Sequence, residues 1–100
     1  MMQEDFGLIS IIMAAYNTEK TIEQAINSVL CQTYTNFELL VVNDCSTDRT
    51  AEWVKSIAAK DSRVRLISNV KNNGVSYTRK HGLEEAKGDW IAILDSDDAW

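Results

Sequence analysis

The 100-residue chain has no proline, four glycines, two cysteines and one histidine. Without proline and with little glycine there is no Pro/Gly-rich linker, so the length fits one small domain or part of a larger one. Cys31 and Cys45 form no CxxC pair and have no histidine partner at zinc spacing, which leaves two reduced thiols of a cytosolic kind. No apolar run is long enough to cross a bilayer, and the opening MMQEDFG lacks the charged-then-apolar pattern of a signal peptide. A basic excess is missing too. With ten Lys and Arg against fifteen Asp and Glu, the net charge is −5, and no basic stripe exists to release counterions from nucleic acid. A phosphate ligand remains compatible, because a bound divalent cation inverts the local sign. Neither GxGxxG nor GxxxxGK[ST] follows a strand, and GxSxG is absent.

Hydrophobic residues make up 45 % and charged residues 25 % of the chain, as in globular domains. Leu8–Ala14 is almost wholly apolar and reads as a strand buried on both faces. Ile22, Ala25, Ile26, Val29 and Leu30 then fall at helical spacing, with Thr18 as the predicted N-cap and Glu19 and Glu23 near the positive end. Phe37–Val42 is a second strand. A second helix is predicted over Thr50–Lys60, with Ser46 and Asp48 as competing caps and Val54, Ile57 and Ala58 facing inward. Val64–Ile67 is a third strand. A third helix is expected over Val75–Ala86, stopped by Gly88, with Val75, Thr78 and Leu83 inward. Trp90–Leu94 is a fourth buried strand. The predicted fold is α/β: a Rossmann-like parallel sheet of about four strands alternating with three helices, joined by right-handed crossovers.

The links entering the strands are plain: TN, DSR, KGD. Those leaving them are richer: AYNTE, NDCSTD, SNVKNNG, DSDD. Ligands of open parallel sheets bind outside the carboxyl ends of the strands. Tyr16, Asn17, Asn43, Asp44, Asn69 and an aspartate cluster collect at those ends.

The last strand runs straight into Asp95, Asp97 and Asp98. On an extended chain Asp95 and Asp97 share a side, and their repulsion is relieved by a hard divalent cation such as Mg²⁺ or Mn²⁺. The stretch reads equally as a solvated acidic turn that caps a helix. Asp44 can accept from the N–H of a base, or it can make an Asx-turn or cap for the following helix. Tyr16 can stack on a base or cover the sheet rim. Arg79 can reach a phosphate or form a surface ion pair. His81 has no partner in the sequence and reads as a surface helix residue.

In order along the chain, ISIIMAAYN, SVLCQTYTNFELLVVNDCSTDRT and NNGVSYTRKHGLEEAKGDWIAILDSDD resemble the successive motifs of family 2 glycosyltransferases of the GT-A fold. The likeness runs from about Leu8 to the end. It implies the nucleotide-diphosphate-sugar-binding part of such a domain, most often for a UDP-sugar. Tyr16 would stack on the base and Asp44 would accept from the base ring N–H. Arg79 would lie near the diphosphate. DSD would be the Asp-x-Asp motif, with Asp95 near the ribose and Asp97 binding Mn²⁺ or Mg²⁺. Donor contacts are thus expected from Ala15, Tyr16, Asn17, Asp44, Arg79, Asp95 and Ser96, and metal ligation from Asp97.

Several residues depart from the family pattern. Ala14 stands where proline is usual, Asn43 and Cys45 replace a commoner Asp and Gly, and Lys80 replaces a frequent Asn. The resemblance also implies that the carboxylate general base of inverting members, and the acceptor site, come from beyond residue 100. The expectation is therefore residues 1–100 as the donor-binding part of a longer, metal-assisted transferase, with no catalytic base in this chain and a sheet edge open to self-association. The acceptor is left open. The expected setting is cytoplasmic, at the inner face of the membrane if the complete protein carries an anchor. A nucleotidyltransferase of similar fold would need a Gly-rich basic loop in place of AAYNTEK, and a receiver-type domain would need an early acidic pair. A nucleotide-binding fragment without turnover stands as the other alternative.

Overall fold

A computed structural model describes residues 7–32 and 36–95, with Asp95 described at the backbone only. Strands β1 (Ile9–Ala15), β2 (Phe37–Asn43), β3 (Val64–Ser68) and β4 (Trp90–Asp95) alternate with helices α1 (Ile22–Leu30), α2 (Thr50–Lys60) and α3 (Val75–Glu85). All strand pairs are parallel, in the order β3-β2-β1-β4. This is the predicted architecture, with every element boundary within one residue of its expected place except the start of α1. The register sets Ala15 beside Asn43 and Asn43 beside Ser68, and it sets Ala14 beside Asp95. All four strands therefore present their carboxyl ends at one edge.

Alternation along β1 and β2 divides two packed faces. Ile11, Met13, Leu39, Val41 and Leu94 meet α1 and α2 through Ile22, Ala25, Ile26, Val29 and Val54. Ile12, Leu40 and Val42 form the opposite face, which α3 covers. Its seat there is Gly82, where a Cβ would stand 2.5 Å from Ile12 Cγ2 and 3.1 Å from Val42 Cγ2.

That close approach corrects the predicted inward face of α3. Thr78 and Gly82 are buried, whereas Val75 is 52 % and Leu83 45 % exposed. The helix sits on its two small residues, which rolls the larger apolar ones to a flank. His81 and Glu85 reach Asn69 and Arg65 on the β3 side. Val75, Arg79 and Leu83, spaced by four, therefore line the other flank, toward β4. Strand β4 was expected to be buried, and it is so on one face only. Ile91 and Ile93 pair with Ser10 and Ile12 on the α3 face, but α3 sits over β1 and β2, so both stay 45 % and 49 % exposed.

Two boundary signals also act differently. Thr18 does not cap α1. Its carbonyl accepts from the N–H groups of Thr21 and Ile22 at 3.0 and 2.8 Å, a lead-in turn, and α1 begins at Ile22. Gly88 does not stop α3. Ala86 leaves the helix in an extended conformation, and Gly88 makes room for β1, with its N–H donating to Ser10 Oγ at 2.8 Å. A Cβ at Gly88 would lie 2.7 Å from the Leu8 carbonyl.

Candidate functional site

Past the strands the parallel ladder carries on for one more bond. Asp44 N–H donates to the Ala15 carbonyl at 2.8 Å and Asn69 N–H to the Asn43 carbonyl at 2.9 Å, so three loops leave the sheet side by side. The first two are laced together. Asn17 Oδ1 accepts from Thr47 N–H at 2.8 Å while Asn17 N–H donates to Ser46 Oγ at 3.0 Å. Thr18 N–H donates to Thr50 Oγ1 at 2.9 Å and Glu19 N–H to Asp48 Oδ2 at 3.2 Å. Asn17 and Cys45 hold positive φ values of 51° and 58°, a region that costs most side chains about 1–2 kcal/mol. Glycine, which the family resemblance leads one to expect at the Cys45 position, would carry no such cost.

Neither candidate cap of α2 stands at its N-cap, which is Arg49 without a side-chain bond; Asp48, one residue earlier, accepts from Thr50 N–H through Oδ1 at 2.9 Å. Ser46 turns back instead, its N–H donating to Asn43 Oδ1 at 3.1 Å.

Asp44 caps neither α2 nor its own turn. It is 5 % exposed and reaches across to the loop before α3. Its Oδ1 accepts from Asn69 Nδ2 at 2.8 Å and Asn73 N–H at 2.9 Å, and its Oδ2 accepts from Gly74 N–H at 2.9 Å. Burial alone would raise its proton affinity, but the Asn73 N–H, the Asn69 amide and the Gly74 N–H outweigh it and hold the carboxyl below its ordinary range. Asp44 is thus an ionised acceptor at the sheet edge. Two lone pairs on each oxygen make four acceptor positions; among the described residues three hydrogen bonds fill all but one, on Oδ2, and the Thr78 side chain lies close enough to help hold the carboxyl ionised.

Under Asp44 lies a group that the sequence reading did not assemble. Asn69, 6 % exposed, donates from Nδ2 to Thr78 Oγ1 at 3.0 Å as well as to Asp44, and its Oδ1 lies 2.6 Å from His81 Nδ1. His81 is therefore a half-buried network residue and not a surface one. The available signal was its spacing: His81 follows Thr78 by three, on neighbouring parts of one helix face.

The other expected site residues are placed as follows. Tyr16 opens the first loop, 47 % exposed, beside the strand end that carries Asp44. Ala15 turns its methyl into the core, 2 % exposed, so what it lends the edge is main chain. Arg79 is half-buried on the β4 flank of α3. The backbone of Asp95 ends β4 beside Ala14. Ser96, Asp97 and Asp98 lie outside the described residues. Among the described residues no three His, Cys, Asp or Glu side chains could hold a metal ion together, and no helix is long and apolar enough to cross a membrane. The strand that leads to the acidic cluster does end at the same edge as Asp44, and hard carboxylate oxygens suit Mg²⁺ or Mn²⁺.

A family profile described as "Glycosyl transferase family 2" matches residues 10–100. Among curated proteins, the Escherichia coli enzyme named UDP-Glc:alpha-D-GlcNAc-diphosphoundecaprenol beta-1,3-glucosyltransferase WfgD is 48 % identical over 96 residues, covering 96 % of this chain and 37 % of that protein. Among solved structures, the mannosyltransferase PcManGT from Pyrobaculum calidifontis, in complex with GDP-Man and Mn²⁺, superposes with a TM-score of 0.88 at 26 % identity. That match covers 94 % of this chain and 28 % of the other. S. aureus TarS in complex with UDP-GlcNAc superposes with a TM-score of 0.85 at 34 % identity, over 91 % of this chain and 27 % of the other. The chain spans a little over a third of the length of the curated relatives it matches, at 36 % and 37 % for two of them.

Proposed function

The chain belongs to glycosyl transferase family 2, and on that premise we propose that it forms the part of a transferase that holds a nucleotide-diphosphate sugar, a UDP-sugar in particular. The observation that carries this reading is Asp44: an ionised, nearly buried carboxylate at the carboxyl edge of the sheet, with one acceptor position left unfilled among the described residues, one strand away from the exposed ring of Tyr16. A nucleobase stacked on Tyr16 would offer its ring N–H to Asp44. Asn17 keeps the Tyr16 loop fastened to the Asp44 loop. Arg79 would face the diphosphate, with Ala15 main chain, Asp95 and Ser96 as further donor contacts.

Asp97 would hold the divalent cation. When bound, such a cation neutralises charge developing on the departing nucleoside diphosphate. The reaction proposed for the complete protein is transfer of the sugar to an acceptor hydroxyl with inversion. The general base would come from outside these 100 residues. The setting would be cytoplasmic, at the membrane's inner face, and the lipid-linked acceptor in the E. coli relative's name supports a place in cell-envelope polysaccharide synthesis. By itself the 100-residue chain would bind the donor without transferring the sugar.

Thermal unfolding with UDP, GDP, CDP or dTDP, each with and without Mn²⁺, tests the reading. A ligand at a hundred times its Kd adds about 2.7 kcal/mol to the folded state, so UDP with Mn²⁺ should raise the midpoint and Asp97→Asn should remove the Mn²⁺-dependent part. No shift with any nucleotide overturns the proposal.

A further inference from the structure

Asn69 has an amide that can be built either way round, and only one way suits Asp44. Both Nδ2 hydrogens are used, one to Asp44 Oδ1 at 2.8 Å and one to Thr78 Oγ1 at 3.0 Å. The Thr78 hydroxyl hydrogen goes to the Gly74 carbonyl at 2.7 Å, so toward Asn69 that oxygen can only accept. Were the amide reversed, its oxygen would face two acceptors, the Asp44 carboxylate among them. At the other end, Asn69 Oδ1 lies 2.6 Å from His81 Nδ1. An oxygen there requires the imidazole to carry its proton on Nδ1. It is the Asp44 and Thr78 end that sets the amide's direction, and His81 answers it by donating from Nδ1. His81 and Asp44 thus hold the two ends of one buried amide.

From this chain we infer that His81 is a positioning residue for base recognition: by donating to Asn69 it steadies the amide that holds Asp44 at the carboxyl edge of the sheet. The inference rests on the donor-site reading above, base preference included, and adds to it a residue that the site's exposed groups do not show. An acceptor-only carboxylate takes a base whose ring nitrogen bears hydrogen, as in uracil, thymine and guanine. Cytosine has a bare acceptor at the matching ring position and leaves Asp44 unsatisfied. Loss of the His81 donor leaves Asn69 Oδ1 without its partner and loosens, at its far end, the amide that donates to Asp44. The cost falls on bases that use Asp44 and spares those that do not.

The test compares UDP with CDP, both with Mn²⁺, by calorimetric titration of the 100-residue chain and of His81→Asp and His81→Asn. Asparagine places an N–H at the same reach from Cβ as imidazole Nδ1, whereas aspartate places only an acceptor there. His81→Asp is expected to weaken UDP roughly five- to tenfold, the value of one hydrogen bond to the amide that supports a charged group, and to leave CDP unchanged. His81→Asn is expected to restore UDP affinity. Unligated melting midpoints close to the parent's show that the variants fold. Equal losses for UDP and CDP, or His81→Asn behaving as His81→Asp, overturn the positioning role while the donor site stands. UDP and CDP binding alike to the unaltered chain overturns the base reading itself, and the role of His81 with it.

Discussion

Asp44 serves the fold before it serves any ligand. Its carboxylate gathers the Asn69 amide and the main-chain N–H groups of Asn73 and Gly74, so its removal strands buried donors, each worth about 1–3 kcal/mol when left unmade. Asp44→Asn should therefore melt below the parent at neutral pH as well as lose base preference. The pH dependence has a definite sign. A carboxyl held below its ordinary range contributes stability that is complete above the unfolded value and is lost as pH falls through the folded one. The parent's midpoint should drop on acidification below about pH 4, the ordinary aspartate range, and the gap to Asp44→Asn should narrow there. Melting curves of both proteins across that range check this, and a gap that stays constant would refute the sign.

At this scale the sequence made Tyr16, Asp44 and Asn69 legible because each directly follows a short apolar strand. His81 was not legible. Its partner depends on how α3 is rolled, and that roll is set by contacts of Gly82 with Ile12 and Val42, far off in the chain.

Among the elements, α3 carries most of the site's consequences. Gly82→Ala puts a Cβ against Ile12 and Val42, two residues that are themselves packed between sheet and helix. Overpacking of this kind costs about 1–3 kcal/mol, and each kcal/mol lowers the midpoint of a domain this size by about 4–8 °C. Because Thr78, Arg79 and His81 ride on the same helix, nucleotide affinity should fall along with the midpoint. Thermal unfolding and UDP titration of the variant measure both. A second element-level expectation concerns the laced loops. Asn17→Ala removes the acceptor for Thr47 N–H and places alanine at a positive φ, so it should destabilise by about 1 kcal/mol and weaken nucleotide binding although Asn17 itself is exposed. Element order, type and much of the length were readable from apolar runs and polar breaks. The caps were not, because Thr18 N–H goes to Thr50 at the start of α2, Ser46 turns back to Asn43 and Gly88 bonds to Ser10 of β1, partners that the fold and not helix periodicity supplies.

For the molecule as a whole, the α3 face of β4 is the exposed one. Ile91 and Ile93 lie open beside the flank that carries Val75 and Leu83, and among the described residues β4 has β1 as its single strand neighbour. An edge strand with open main-chain groups and apolar side chains invites pairing with another chain. The isolated 100-residue chain is expected to self-associate, and the double variant Ile91→Lys, Ile93→Lys to sediment as a monomer. A monomeric parent would refute this. The open edge was readable from the strand count. The exposed face was not, since the composition of WIAIL is that of a buried strand.

The strand order also sets a timetable. Strand β1 is made first but becomes an inner strand only when β4 arrives, and the bond from Leu8 N–H to the Asp89 carboxylate joins positions 81 apart. Such distant closure is slow relative to local contacts. While the chain is being synthesised, β1, β2 and β3 and the Asp44 loop can assemble, and the acidic end comes last. On the donor-site proposal, a growing chain would thus complete its base-selecting edge before the strand that leads to the metal-binding aspartate joins the sheet.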